Sequence, residues 1–342
     1  MDQETPLFPP AAARPHDVLC VGTALVDLLA HASVEAVAAL GLNPGGMTLV
    51  DDQAATAIRA ALGIERAVSG GTVANTAAGI AALGGSPAYL GAVGADELGA
   101  RFATDLEEAG VRAVLEVREG QGSGSGACHV IVTPDAQRTM ATNLGVSGQL
   151  SARFVAESGL VAEARFVYFD GYLLDFPDAS ALVTTLLEEA RGAESRVAFG
   201  LADPFAVGRH LETMRTLVGE VDLVFCNEEE AMALSGAAAL PEALDFLTHP
   251  ERVSVVTRGP LGAVVVTAQG RVEVDAVPVP EVRDVTGAGD LFAAGVLFAA
   301  ARGDGPRRAA ALGATLAAEA ISHLGARPEV DLADLVTRAD LA

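Results

Sequence analysis

Residues 284–301 read Asp-Val-Thr-Gly-Ala-Gly-Asp-Leu-Phe-Ala-Ala-Gly-Val-Leu-Phe-Ala-Ala-Ala. Two glycines, Gly287 and Gly289, stand where a loop runs into an apolar helix, and a carboxylate, Asp290, falls in the first turn. N–H groups at a helix start lack intrahelical partners and lie at the positive end of the dipole, so they attract anions. Glycine lets an anion come close to the backbone. A carboxylate beside an anion site would only repel its ligand. It gains a use if it takes the proton from a hydroxyl that attacks a bound phosphoryl group. An Asp that simply caps a helix is the plainer alternative.

Other segments could supply the rest of such a site. Ser69-Gly70-Gly71-Thr72-Val73-Ala74-Asn75 opens another helix. Its paired Gly permits close approach of a polyhydroxyl ligand, and Asn75 offers donor and acceptor together; tight packing of the helix start on a strand would explain the glycines equally well. Asp27 follows the first strand by a few residues, where it could hold a sugar hydroxyl or sit in a solvated turn. Asn227 and Glu230 lie three apart at a strand-to-helix junction and could face hydrated Mg²⁺ or phosphate waters, although acids in a first turn also suit the dipole. Thr257-Arg258-Gly259-Pro260-Leu261-Gly262 ends a further strand. Its glycines suit a nucleotide passing over backbone, and Arg258 is a candidate phosphate partner.

The composition excludes several chemistries. All 22 basic residues among the 342 are Arg. Without Lys there is no Walker P-loop, no protein-kinase ATP site and no Schiff base. If ATP is handled, amides, Arg and metal must replace the usual ammonium. The net charge of −23 argues against nucleic acid or anionic membrane as partner. Cys20, Cys128 and Cys226 are few, odd in number and widely spaced, which fits a reducing, cytoplasmic setting. The apolar run Leu291–Ala301 is too short to span a bilayer. The first 16 residues lack the pattern of a signal peptide and read as a disordered tail. Gly122–Ala127 loosely matches a dinucleotide fingerprint, but a strand follows it where a helix should.

The elements that must position these residues follow from periodicity. A buried strand is expected at Asp17–Gly22, a helix at Thr72–Leu83, a strand at Pro87–Val93 and a helix at Asp96–Ala109. Alternating segments at Val111–Val117, Cys128–Val132 and Arg138–Thr142 read as a β-meander with one exposed face. From about residue 150, strands at Phe166–Asp170, Arg196–Leu201, Leu223–Cys226 and Val253–Thr257 alternate with helices, the signature of βαβ units. Residues 17–342 therefore read as one doubly wound, mostly parallel α/β domain. A small β lid would be drawn from segments within about 23–50 and 111–145. Its exposed face leaves both a monomer and a homodimer open. Ligands of such sheets sit beyond the carboxyl ends of the strands.

At this point the chain resembles the PfkB carbohydrate kinases of the ribokinase-like superfamily, from about Asp17 to Pro328. The motifs that carry the likeness are Gly70-Gly71 with Asn75, Gly84-Gly85 through Gly94–Gly99, Asn227–Glu230 and Asp284–Asp290. The resemblance implies Asp290 as catalytic base and the amides of Gly287, Ala288 and Gly289 as an anion hole. Asp27, Gly70, Gly71 and Asn75 would hold sugar hydroxyls. Asn227 and Glu230 would place Mg²⁺ through water, Thr257, Gly259 and Gly262 would line ATP, and Asp284 resembles a position for a monovalent cation such as K⁺. The chain departs from the family pattern at Val285, where many members have Thr, and at Ala314, where a polar residue often meets the adenine. Residues 132–140, Asp170–Leu173 and Asp203–Phe205 look most like bacterial adenosine-kinase-like members. The expected activity is ATP-dependent phosphorylation of a primary hydroxyl, with adenosine as first acceptor. Ribose, fructose or 2-keto-3-deoxygluconate are alternatives, and a non-catalytic sugar or nucleoside sensor is the reading from another class.

Overall fold

The computed structural model describes residues 4–9, 12–119, 124–134, 137–339 and 341. Part of the glycine-rich turn (residues 120–123) and two residues of the 132–140 motif (Asp135 and Ala136) lie outside that set. The strands in chain order are β1 (His16–Val21), β2 (Leu25–His31), β3 (Met47–Leu49), β4 (Arg66–Gly70), β5 (Pro87–Gly94), β6 (Arg112–Arg118) and β7 (Gly126–Val132). They continue with β8 (Arg138–Asn143), β9 (Ala164–Asp170), β10 (Arg196–Gly200), β11 (Leu223–Asn227), β12 (Val253–Thr257), β13 (Ala263–Thr267) and β14 (Gly270–Val274).

Nine strands form the main sheet in the order β14-β13-β12-β11-β10-β9-β1-β5-β6. The pairs from β12 through to β6 are parallel, and β13 and β14 add an antiparallel hairpin at one edge. Both faces are covered, so the central strands are near-continuous apolar runs. In β1, Val18 and Cys20 join one buried cluster while Leu19 and Val21 join the other, as a side-chain period of two requires. From β1 the chain adds β5 and β6 on one side and β9, β10, β11 and β12 on the other. Strand order thus reverses beside β1, the place where such sheets open a crevice.

The remaining strands form a second sheet, β3-β8-β7-β2-β4. It is wider than the expected lid. It takes in β4, which lies outside the expected segments, and it excludes β6, which pairs with β5 at the edge of the main sheet. It is also no meander, because β2 and β7 run parallel. The face opposite Asp27 is not open: Val37 and Ile58 of two helices (Val34–Ala39 and Asp52–Ala61) pack there on Ile131 and Ala141. The described part of the N-terminal segment also departs from a disordered tail. Phe8 is buried against Phe166, with ring centroids 5.5 Å apart, and Leu7 N–H donates to Asp304 O at 2.9 Å. Among the described residues no helix is long and apolar enough to cross a membrane.

Candidate active site

The turn before Asp290 is built by Asp284. Its Oδ1 accepts from Thr286 N–H at 3.0 Å and from the Thr286 hydroxyl at 2.7 Å, and its Oδ2 accepts from Gly325 N–H at 2.7 Å. Gly287 then takes φ +78° as N-cap of the Ala288–Arg302 helix, a conformation costly for any residue with a Cβ. A Cβ there would also overlap Ala326. No side chain caps this helix. Among the described residues nothing accepts from the N–H of Gly287 or Gly289, and the Ala288 N–H makes only a long bond, 3.3 Å, to Val285 O. Gly289 faces open space. These are unspent donors at the positive end of a long buried helix.

Asp290 sits one residue beyond, partly buried, with Oδ2 accepting from Asn75 Nδ2 at 2.9 Å. Burial pushes its carboxyl up to about 7; the Asn75 bond opposes that shift, nearby Asp170 adds to it, Arg327 opposes it and Asp27 adds again. A carboxylate that titrates near neutrality is suited to accept and release a proton at working pH. Asn75 holds it because the Thr72–Ala82 helix begins at the Gly70-Gly71 turn and crosses beside the Asp290 helix; Thr76 Oγ1 donates to the Asp290 carbonyl at 3.1 Å.

Asp27 lies opposite Val68 in the antiparallel β2–β4 pair. Its carboxyl rests over Gly70, where any Cβ would overlap it. Burial raises Asp27 to about 6 against the pull of Arg327 and Arg138. Asp170, which the sequence offered only as part of a motif, completes a third acidic corner. It ends β9, accepts from the Thr72 hydroxyl, and is raised to about 6, chiefly by burial. A cleft of about 230 Å³ brings Asp170 and Asp290 together, lined also by Thr72, Asn227, Thr257 and Gly289 among others. It lies at the carboxyl ends of β9 to β12, as the fold requires.

Several expected residues behave differently. Asn227 and Glu230 form a reciprocal capping box: Asn227 N–H and Nδ2 donate to the two Glu230 oxygens at 2.9 and 2.7 Å, and Glu230 N–H donates back to Asn227 Oδ1 at 2.8 Å. Glu230 is buried and raised to about 7, mostly by desolvation. With these oxygens engaged, the pair fits Mg²⁺ only through its water shell. That suits an ion that keeps several waters and arrives on phosphates. Among the described residues no cluster of three or more His, Cys, Asp or Glu could hold a bare metal ion.

Arg258 turns away from the cleft to Glu273, with 3.7 Å between charged atoms, so its expected role as phosphate partner finds no support. Gly259 and Gly262 shape the hairpin behind Thr257, and Gly262 (φ +83°) packs against the β14 end. The positive charge at Asp284 is the guanidinium of Arg138, reaching from β8 with Nη1 at 2.7 Å from Oδ2. Thr286 and Gly325 also donate to it, so both Asp284 oxygens already have partners within the protein.

The sequence model of the pfkB family carbohydrate kinases matches residues 65–332. Among solved structures, a probable sugar kinase from Rhizobium etli CFN 42 superposes with a TM-score of 0.90 at 33% identity, covering 96% of this chain and 100% of that one. Adenosine kinase from Sinorhizobium meliloti superposes with a TM-score of 0.88 at 35% identity, covering 95% and 99%. The adenosine kinase of Saccharomyces cerevisiae is 26% identical over 330 residues, 90% of this chain and 95% of the yeast enzyme.

Proposed function

The chain belongs to the pfkB family of carbohydrate kinases, phosphotransferases with an alcohol acceptor, and from that premise we propose that it transfers the γ-phosphoryl group of ATP to the 5′-hydroxyl of adenosine, giving AMP and ADP. The observation that best supports this reading is the pairing of open amides at Gly287 and Gly289 with the Asp290 carboxylate, which Asn75 holds and which lines one cleft with Gly289. The likeness to adenosine kinases over nearly the whole chain favours a nucleoside acceptor. The Rhizobium etli structure keeps a free sugar as the second reading.

Asp290 takes the hydroxyl proton as the acceptor oxygen bonds to the γ-phosphorus and the bond from that phosphorus to the β–γ bridging oxygen breaks. The helix-start amides receive the charge that develops on the transferring group. Asp27 accepts from a ribose hydroxyl and so sets the approach of the reacting one. Mg²⁺, held through water by Asn227 and Glu230, would neutralise phosphate charge. A K⁺ ion at Asp284 would have to share that carboxyl with Arg138. The covered outer face of the second sheet favours a monomer, and the three free, buried cysteines suit the cytoplasm.

The test is a panel of acceptors followed by coupled ADP release. Adenosine should give kcat/KM well above inosine, ribose, fructose and 2-keto-3-deoxygluconate. A free sugar as best substrate would overturn adenosine, and ligand binding without any ADP would overturn the kinase.

A further inference from the structure

Three consecutive residues near the C-terminus touch both halves of the site. Gly325 N–H donates to Asp284, Ala326 fills the space that a Cβ on Gly287 would need, and Arg327 runs under the Gly70-Gly71 turn. Arg327 Nη2 donates to the Ser69 hydroxyl at 3.0 Å and lies 3.4 Å from the Ser69 carbonyl, while Nη1 donates to Ala74 O at 3.2 Å. One guanidinium therefore clamps the strand end before the sugar turn to the helix turn after it, the turn that carries Asn75. Its charge acts on Asp27 of β2, Asp105 of the Glu97–Glu108 helix, Asp290 and Tyr89 of β5. Asp105 is itself tied in, accepting from Ser69 N–H at 2.8 Å.

We propose that Arg327 is a positioning residue of this kinase: its planar fork fixes the Gly70-Gly71 turn and Asn75 against the anion-hole helix, and its charge offsets the negative charge of Asp27 and Asp290. The inference rests on the kinase reading. The physical need is clear from the neighbours. Burial is the largest cause of a raised carboxyl at each of Asp27, Asp170 and Asp290, and Asp170 and Asp27 both add to the shift at Asp290. Like charges so placed suppress one another's ionisation. Arg138 also acts on Asp27, but it is engaged with Asp284. Arg327 is lowered by burial only to about 10, so it stays charged at neutral pH. An Arg fork does what a Lys cannot, since its N–H groups leave in fixed directions to separate acceptors.

The test compares Arg327→Gln and Arg327→Lys with the wild type in two measurements. The first follows the carboxyl ¹³C shifts of labelled aspartates against pH without any acceptor, with Asp27 and Asp290 assigned from their Asn variants. The second measures KM for adenosine and for ATP. In Arg327→Gln both carboxyls should titrate ~1 pH unit higher, as expected for loss of a nearby opposite charge. KM for adenosine should rise about 10-fold with KM for ATP unchanged. Arg327→Lys should restore the titrations and leave KM for adenosine raised. Wild-type titration in the Gln variant, or a wild-type KM for adenosine in either variant, overturns the proposal. If the Gln variant does not fold, the Lys variant decides by its KM. A wild-type enzyme inactive on adenosine would sink the acceptor assignment, while the carboxyl titration would still judge Arg327.

Discussion

Asn75 Nδ2 donates to Asp290 Oδ2 at 2.9 Å across 215 positions of sequence. The bond joins the helix that starts at the Gly70-Gly71 turn to the helix that starts at Gly287. In the proposed reaction it ties both halves to one geometry: a ligand seated against Asp27 and Gly70 would meet a base already oriented by Asn75, on the helix that follows that turn.

The rate should rise with pH through neutrality. Asp290 acts as a base only when ionised, and its carboxyl is pushed up to about 7 by burial. On the acid side kcat/KM should fall roughly tenfold per pH unit, more steeply once Asp27 also protonates near 6. A profile of kcat/KM that is flat between about pH 5 and about pH 8 would contradict the assignment.

The same carboxyl should weaken the fold. The native state binds the Asp290 proton more tightly than the unfolded chain does, so between the unfolded value of 3.8 and the folded value of about 7 stability falls as pH rises. Asp290→Asn removes that cost. Relative to wild type it should gain about 1–3 kcal/mol at pH 8 and little at pH 4, read from denaturant midpoints at both pH values. An equal difference at both would show that Asp290 carries no raised carboxyl.

Asp27→Ala should raise KM for adenosine by about 10- to 100-fold, because a hydroxyl loses a charged acceptor worth about 1.5–3 kcal/mol. KM for ATP should hardly move. Gly70→Ala should copy this pattern, since its methyl group would displace the Asp27 carboxyl. Equal rises in both KM values would remove Asp27 from the sugar side.

Arg138→Met should be strongly destabilising, by about 3–5 kcal/mol, because it leaves the Asp284 carboxylate, only 3% exposed, without its cation. In the wild type, replacing K⁺ by tetramethylammonium at constant ionic strength should leave kcat unchanged. A strict K⁺ requirement would mean that Arg138 leaves Asp284 during turnover.

Much of the fold was legible because buried parallel strands are continuous apolar runs: β1, β9, β11 and β12 stand out for that reason. β6 misled because an edge strand with one wet side, Arg112–Arg118, alternates just as an exposed meander does. β4 escaped notice since its five residues end in the glycine turn that drew the eye as a helix start. Asp290 and Asp27 could be picked out from local context. Asp170 and Arg327 could not, because their partners Thr72 and Ser69 lie 98 and 258 positions away. Absence of Lys implied that, if ATP is handled, amides, Arg and metal must replace the ammonium. Only the packing of the second sheet shows that the guanidinium beside the Asp284 turn is that of Arg138, while Arg258 pairs with Glu273.

The decisive measurement is the turnover of Asp290→Asn beside its affinity for adenosine and ATP. With Asp290 as the base, kcat falls by about 10²–10⁴-fold while both ligands bind as in the wild type. A variant that still phosphorylates adenosine within a few-fold of the wild-type rate would contradict it.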